Sequence, residues 1–156
     1  MQKSQVVIAI DGACRGNGTP NATAAYGVFF GRNSRYNEWD LLPVNERQTS
    51  QNAEIYAAQQ ALERARAYLI DDLTTVNLIT DSSYLTKSMT EYIYKWLRNG
   101  FRASGNGLRI VNADAVYHLN STIEFFNNCD VEVLFWNVRR EQNTDADRLA
   151  NLAFSY

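Results

Sequence analysis

Apolar runs rich in β-branched and aromatic residues alternate along this chain with segments of helical periodicity. The continuous apolar run 6–10 predicts a strand that is covered on both faces. Later apolar runs predict four further strands, and polar turn residues at 31–34 indicate a hairpin between the second and the third. The five predicted strands are 6–10, 24–31, 36–42, 75–80 and 131–136.

Four helices are predicted around these strands, over 51–69, 82–98, 112–126 and from 144 onward. Ser50 is the predicted N-cap of the first helix. Small residues recur on one side of that helix and allow close packing on a sheet; they are Ala53, Ala57, Ala61 and Ala65. The element order predicts an α/β fold with a five-stranded mixed sheet, three antiparallel strands then two parallel ones, and helices on both faces.

Length and composition are those of an ordinary globular chain. The 156 residues fit one domain spanning 1–156, with 46% hydrophobic and 21% charged residues. No apolar run is long enough to cross a membrane, and residues 1–5 lack the shape of a signal peptide. Cys14 and Cys129 are too few for a disulfide framework. We therefore expect an intracellular protein, cytoplasmic or nuclear rather than secreted, that acts as a monomer without a membrane partner.

Four acidic residues fall where the predicted fold brings chain segments to one edge of the sheet. Asp11 follows the first strand and Asp81 follows the fourth, while Glu54 and Asp147 lie in the first turns of two helices. Four converging carboxylates repel one another unless cations lie between them. Oxygen ligands without nearby His or Cys favour Mg²⁺ or Mn²⁺. The pattern indicates a paired-metal site suited to phosphoryl-ester hydrolysis.

Each acid alone is also compatible with a structural role. The two strand-end acids are suited to capping turns or following helices, and Glu54 to complementing the helix dipole. Asp147 stands three residues after Thr144, which is the spacing of a capping box. Asp145 in the same turn is a rival for any role given to Asp147.

Four segments, in order and over nearly the whole chain, resemble the motifs of type 1 ribonuclease H. They are IDGACRGNG at 10–18, QTSQNAEIYAA at 48–58, TDSSY at 80–84 and NTDADRLA at 143–150. The resemblance implies the ribonuclease H-like fold, whose mixed sheet matches the one predicted above. It also implies an endonuclease that hydrolyses the RNA strand of RNA–DNA hybrids and leaves 5′-phosphate and 3′-hydroxyl ends.

The resemblance assigns roles to the acids. Asp11 would bridge two Mg²⁺ ions, for which Mn²⁺ could substitute, and Asp147 would help to hold the ion that activates water. Glu54 and Asp81 would help to hold the ion on the leaving-group side. Glu54 would also lie near a 2′-hydroxyl, which fits selection of RNA. The motif favours Asp147 over Asp145.

The resemblance further implies contacts with the hybrid. Positions that match minor-groove contacts are Cys14, Gly16, Asn17 and Gln51. Positions that match a pocket for a DNA phosphate are Arg47, Thr49 and Asn112. Positions that match the channel under the DNA strand are Tyr84, Tyr92, Trp96 and Ser104. Ser50 replaces an Asn common in the family, and packing along a helix explains Tyr92 and Trp96 equally well because they are spaced i, i+4.

A local basic segment lies inside a chain whose net charge is −2. That net charge argues against tight binding to nucleic acid driven by charge alone. Between residues 87 and 109 the only acid is Glu91, and the basic residues are Lys87, Lys95, Arg98, Arg102 and Arg109. An ordinary solvated face would look the same, but the resemblance favours contacts with phosphates.

One departure from the family concerns the loop before the last helix. The family usually carries a His there that aids product release, whereas residues 138–143 contain none and the single histidine is His118. Arg139, Arg140 or Glu141 are candidates to substitute in part, and we expect cleavage with slower turnover. Two alternatives stay open: a weakly active or inactive module of this fold that binds nucleic acid or protein, and another nuclease of the superfamily. Other nucleases of the superfamily, such as exonucleases and resolvases, lack the QNAE signature found here at 51–54.

Overall fold

The computed structural model describes residues 3–155; residues 1–2, part of the N-terminal segment considered above, and Tyr156 lie outside the described part. Five strands form one mixed sheet in the order β3-β2-β1-β4-β5. The strands are β1 (Ser4–Arg15), β2 (Thr23–Phe29), β3 (Glu38–Leu41), β4 (Leu73–Thr80) and β5 (Glu132–Asn137).

Five α-helices connect and follow the strands. They are α1 (Ser50–Tyr68), α2 (Ser83–Lys87), α3 (Ile93–Asn99), α4 (Ala113–Asn128) and α5 (Thr144–Leu152). Short 3₁₀ turns lie at Ile70–Asp72, Arg140–Gln142 and Ala153–Ser155. Within residues 3–155, none of the helices combines the length and the apolar character that crossing a bilayer requires.

The pairing of the strands confirms the predicted mixed sheet. β1 pairs antiparallel with β2, and β2 antiparallel with β3, while β1–β4 and β4–β5 are parallel. Helix α1 packs on β1 and β2, and α4 packs on α1 and β5. Successive residues of a strand point to opposite faces of the sheet. Gly12 of β1 faces α1, whereas Gly27 of β2, which follows the pairing partner of Gly12, faces α5. Helices therefore cover both faces of the sheet, as predicted.

The first strand differs from its prediction in length and in burial. β1 continues to Arg15, so Asp11 lies inside the strand, opposite Gly27 of β2, rather than after its end. The prediction that the run 6–10 is covered on both faces is wrong, because Val7 is 55% exposed. Helix α5 packs on one face of the sheet, across β1, β2 and β3. Val7 points to the same face but lies beside β4, at a part of the sheet that α5 leaves uncovered.

Two helices also differ from their predictions. The cap of α1 is Thr49, whose side chain accepts a hydrogen bond from the Asn52 backbone N–H at 3.1 Å, and the predicted cap Ser50 is already helical. The single helix predicted over 82–98 is interrupted by a π-helical segment at Ser88–Tyr92. π-helical turns are rare and usually occur as single turns inside α-helices, so the predicted helix over 82–98 did not include one.

Close backbone contact fixes α5 against the sheet. A Cβ atom at Gly27 would lie 2.6 Å from the carbonyl oxygen of Ala146 and 2.6 Å from the backbone nitrogen of Ala150. Glycine at this position therefore allows α5 to lie directly on β2. The side chain of buried Asn143, just before α5, donates a hydrogen bond to the carbonyl of Ile10 in β1 at 2.9 Å.

We expect Gly27→Ala to lower the free energy of unfolding by about 1–3 kcal/mol, because the added methyl must displace backbone rather than a flexible side chain. Gly105→Ala is the matched control, since a Cβ there meets nothing within 4 Å. Urea denaturation of both variants measures the difference. Equal stabilities for the two variants would contradict the close packing of α5 on β2.

Candidate active site

Parallel pairing brings the first two acids together. The β1–β4 register ends with Ala9 opposite Ile79, so Asp11 stands two residues beyond the pairing and Asp81 follows β4 directly. Adjacent strands are about 4.8 Å apart. The two carboxyls therefore extend from neighbouring strands at the same edge of the sheet, as predicted, although Asp11 is held within a strand.

Helix α1 reaches the same edge through Gly12. A Cβ atom at Gly12 would lie 2.5 Å from the backbone carbon of Ala53 and 2.5 Å from the backbone nitrogen of Glu54. The absence of that Cβ lets α1 touch β1 beside Asp11. Glu54 was predicted in the first turn of its helix, but α1 begins at Ser50 and its first turn contains no acid. Glu54 therefore lies in the second turn, where the helix dipole has little effect on a charge. Favourable interaction with the dipole does not account for an acid at this position.

Three of the four predicted acids form a tight cluster. One carboxylate oxygen each from Asp11, Glu54 and Asp81 lies within 4.8 Å of the others. Asp147 lies outside this group of three but lines the same cavity, and it helps to raise the pKa of Asp11. Asp145 is exposed and does not line the cavity.

Asp147 does not serve as part of a capping box. The residue before α5 is Asn143, which makes no side-chain cap to the helix, and the Asp147 backbone N–H donates to the Asn143 carbonyl at 3.2 Å. Asn143 instead uses its side-chain amide on β1, next to Asp11. That hydrogen bond fixes the start of α5, and with it Asp147, relative to Asp11.

Burial and like charge hold protons on this cluster. Desolvation is the main cause that raises the pKa of Asp11 to about 7, and the charge of Asp81 adds to it. Desolvation, followed by the charges of Asp11 and Asp81, raises the pKa of Glu54 well above its ordinary value. The interaction between the two side chains lowers the pKa of Asp11 and raises that of Glu54, so the proton favours Glu54 of this pair.

The residues fit a divalent cation. Oε2 of Glu54 is buried and has no hydrogen-bond partner among the described residues, which is costly for a carboxyl group. A cation at the cluster would satisfy that oxygen and remove the repulsion that retains the proton. Carboxylates alone, without His or Cys, are ligands typical of Mg²⁺ or Mn²⁺ rather than zinc.

An open cavity of about 520 Å³ surrounds the cluster. Besides the four acids, its wall includes predicted substrate positions, Cys14 and Gln51, and residues that sequence reasoning did not single out, namely Arg15, Ser82, Asn151 and Phe154. Strand and helix periodicity could have found some of these. Arg15 lies four residues from Asp11 on the same face of β1, and Asn151 lies one helical turn after Asp147.

The other predicted minor-groove positions lie near the start of α1. Asn17 accepts a hydrogen bond from the Ser50 backbone N–H at 3.3 Å and donates one to the Ser50 hydroxyl at 3.4 Å. Gly16 has a φ of 67°, which glycine adopts readily. Cys14 donates to the Gln48 carbonyl at 3.5 Å. Gly16 and Asn17 do not line the cavity around the acids.

A second cavity, of about 410 Å³, joins two groups of predicted DNA contacts. Gln51, Tyr84, Trp96 and Asn112 all line it, and the Asn112 side chain donates to the Tyr84 hydroxyl at 3.0 Å. Gln51 lines both cavities, so they meet at the start of α1. Thr49 and exposed Arg47 lie at that helix start without lining either cavity, and the Thr49 hydroxyl is engaged as the helix cap.

The basic segment carries both packing and exposed residues. The rings of Tyr92 and Trp96 are 5.6 Å apart, and Trp96 also stacks near Phe101 at 6.3 Å, so packing accounts for part of their role. Lys95 donates to the Ser104 hydroxyl at 2.5 Å. Of the five basic residues, Arg109 forms an ion pair at 2.6 Å with Asp114, an acid beyond the segment.

The three residues predicted to substitute for the missing His differ in their position relative to the cavity of the acids. Arg140 lines the cavity of the acids. Arg139 and Glu141 lie 4.0 Å from each other and do not line it. His118 lies on α4 beside a small cavity formed with α1 that contains none of the four acids.

Comparison with known proteins assigns the part of the chain described above to a family. The family model for RNase H matches residues 3–155. The chain belongs to the RNase H family. Ribonuclease H1 of Rattus norvegicus is 32% identical over 149 residues, which is 93% of this chain and 48% of the rat protein. Ribonuclease HI of Rickettsia prowazekii is 32% identical over 120 residues, 77% of this chain and 72% of that protein. The chain thus spans about half the length of the rat RNase H1.

Solved RNase H structures share the fold. The crystal structure of RNase H1 from the archaeon Halobacterium salinarum has a TM-score of 0.61 and 22% identity, covering 97% of this chain and 98% of that one. LC11-RNase H1 in complex with an RNA/DNA hybrid has a TM-score of 0.67 and 17% identity, covering 96% of both chains. These similarities confirm the RNase H fold predicted from the motifs.

The raised pKa of Asp11 predicts an unusual pH dependence of stability without metal. Between its ordinary pKa of 3.8 and about 7, native Asp11 binds a proton that the unfolded chain has released. The free energy of unfolding should therefore fall as pH rises through this window. Chemical denaturation in EDTA at a series of pH values measures it, and saturating Mg²⁺ should weaken the fall.

Asp11→Asn is the control for this pH dependence, because it removes the titrating group and leaves every other carboxyl in place. We expect its stability to change less between the two pKa values than that of the parent chain. Identical pH profiles for the two proteins would show that Asp11 ionises normally and that the carboxyls are not crowded.

Proposed function

We propose that this chain is an endonuclease that hydrolyses the RNA strand of RNA–DNA hybrids with the help of divalent metal ions. The observation that carries the proposal is the convergence of Asp11, Glu54 and Asp81 within 4.8 Å, in a chain that belongs to the RNase H family. The names of its relatives and the hybrid in the LC11-RNase H1 complex support the substrate class.

The proposed metal ligands are Asp11, Glu54, Asp81 and Asp147. When bound, two Mg²⁺ or Mn²⁺ ions would supply the activation of a water molecule and the neutralisation of charge on the attacking and leaving oxygens. We propose that Asp11 contacts both ions, that Asp147 holds the one on the water side, and that Glu54 and Asp81 hold the one on the leaving-group side. Products would carry 5′-phosphate and 3′-hydroxyl ends.

The protein's own residues would position the hybrid. Gln51 lies where the two cavities meet, which suits a residue that contacts the minor groove between the two strands. We propose that the second cavity, with Tyr84, Trp96 and Asn112 in its wall, receives the DNA strand. Arg140 lines the acid cavity at the loop where the resemblance places a His, and we propose that Arg140 assists product release less effectively than that His. One-domain organisation, a monomeric state and a cytoplasmic or nuclear location stay predictions.

Cleavage of a labelled RNA–DNA hybrid, assayed beside duplex RNA, duplex DNA and single strands, tests the proposal. We expect cleavage of the hybrid alone, dependent on Mg²⁺ or Mn²⁺. Asp81→Asn should lower kcat/KM by roughly 10²-fold or more, the scale seen when a group that stabilises developing charge is lost. Asp145→Asn is the matched control, because Asp145 is a 60% exposed acid outside the cavity.

Three results would overturn the proposal. Hybrid that is bound but not cleaved with either ion would favour an inactive binding module. Equal cleavage of duplex DNA would favour another nuclease of the superfamily. Equal losses of activity in Asp81→Asn and Asp145→Asn would show that the cluster has no special role.

A further inference from the structure

Arg15 is a cation in the wall of the acid cavity; it lies inside the first motif, at 10–18, but the resemblance gives it no role. It is the last residue of β1, on the same face as Asp11 and four residues further along. At about 3.3 Å per residue, its Cα lies about 13 Å along the strand from that of Asp11. Arg15 therefore lies well beyond the end of β4, which stops at Thr80.

Phe154 holds the guanidinium of Arg15 in place. The central carbon of the guanidinium lies 4.3 Å from the centre of the Phe154 ring, a cation–π contact. Phe154 lies just after α5 and lines the same cavity as Asp147 and Asn151. Stacking engages only the flat face of the guanidinium, and its N–H groups point outward in the plane, where they can donate to a ligand.

The charge of Arg15 is not neutralised by the acids beside it. None of the ion pairs among residues 3–155 includes Arg15. Its side chain also makes no hydrogen bond to another described residue. A fixed, exposed guanidinium with free donors suits a phosphate, which it can bind with two parallel hydrogen bonds.

We propose that Arg15, stacked on Phe154, binds a backbone phosphate of the nucleic-acid strand that passes the carboxylates. This inference rests on the proposed function, because it takes that strand to be the RNA of a hybrid. Arg15 would hold a phosphate that flanks the scissile one and so fix the register of the strand. Phe154 acts as a positioning residue that keeps the guanidinium against the cavity wall.

Binding of a fluorescently labelled hybrid in EDTA, measured by anisotropy over a range of KCl concentrations, tests the contact without cleavage. Arg15→Gln should lower affinity about tenfold at low salt and reduce the slope of log K against log[KCl] by about 0.9, as expected for one lost phosphate contact. Arg15→Lys should keep most of the slope and lose part of the affinity. The matched control is Arg35→Gln, since Arg35 is also stacked on a ring, that of Tyr36 at 5.0 Å, but outside the cavity.

Phe154→Leu separates positioning from general stability. If Phe154 acts through Arg15, the substitution weakens binding in the parent chain and has no further effect in the Arg15→Gln background. Thermal unfolding of each variant shows that it is folded at the assay temperature. An equal loss in both backgrounds, or an Arg15→Gln variant with the affinity and salt slope of Arg35→Gln, would overturn the inference.

The two proposals fail in different ways. If Arg15→Gln binds like the parent chain while Asp81→Asn abolishes cleavage, the phosphate contact is wrong and the nuclease proposal stands. If the parent chain binds hybrid through Arg15 but does not cleave it with Mg²⁺ or Mn²⁺, the nuclease proposal is wrong and the contact stands. A parent chain that does not bind the hybrid at all would overturn both.

Discussion

Asp11, Glu54 and Asp81 hold carboxylate oxygens within 4.8 Å of one another, and repulsion at that distance opposes the fold that brings them together. The sheet and α1 maintain the crowding through parallel β1–β4 pairing and through the backbone contact at Gly12. Protonation would relieve the repulsion in part, and burial together with the charge of Asp81 favours it by raising the pKa of Asp11. A divalent cation would relieve it more completely and would also satisfy the buried oxygen of Glu54. Stability and chemistry at this site thus depend on the same charges.

The sequence predicted the element order, the mixed sheet and the three acids that cluster, because hydrophobic periodicity and the positions of acids at strand ends and helix starts are local signals. The fourth predicted acid, Asp147, lines the same cavity without joining the group of three. It placed Asp11 after a strand rather than within one, since pairing with β2 beyond Ile10 is a tertiary feature. It chose Ser50 over Thr49 as the cap, because both residue types favour that position. The exposure of Val7 and the role of Asn143 depend on where α5 lies across the sheet, and no short sequence window contains that information.

Acidic and basic side chains occupy different parts of one cavity in this protein, although the net charge of the chain is only −2. The acids gather at the edge where β1, β4 and α1 meet, while Arg15 and Arg140 lie on the wall of the same cavity. The proposed metal ions would be held by the first group and the proposed phosphate contacts made by the second, and the net charge of the chain reveals neither group. Arg15 contacts an aromatic ring rather than a carboxylate, so the acids of the cluster do not neutralise its charge through an ion pair.

Anomalous diffraction from crystals soaked in Mn²⁺ tests most directly whether cations stabilise the carboxyl cluster. The account predicts manganese peaks coordinated by oxygens of Asp11, Glu54 and Asp81, with Asp147 facing the side of Asp11 away from β4. It would be contradicted by crystals that bind manganese only elsewhere, with the three carboxyl groups still clustered and no ion between them.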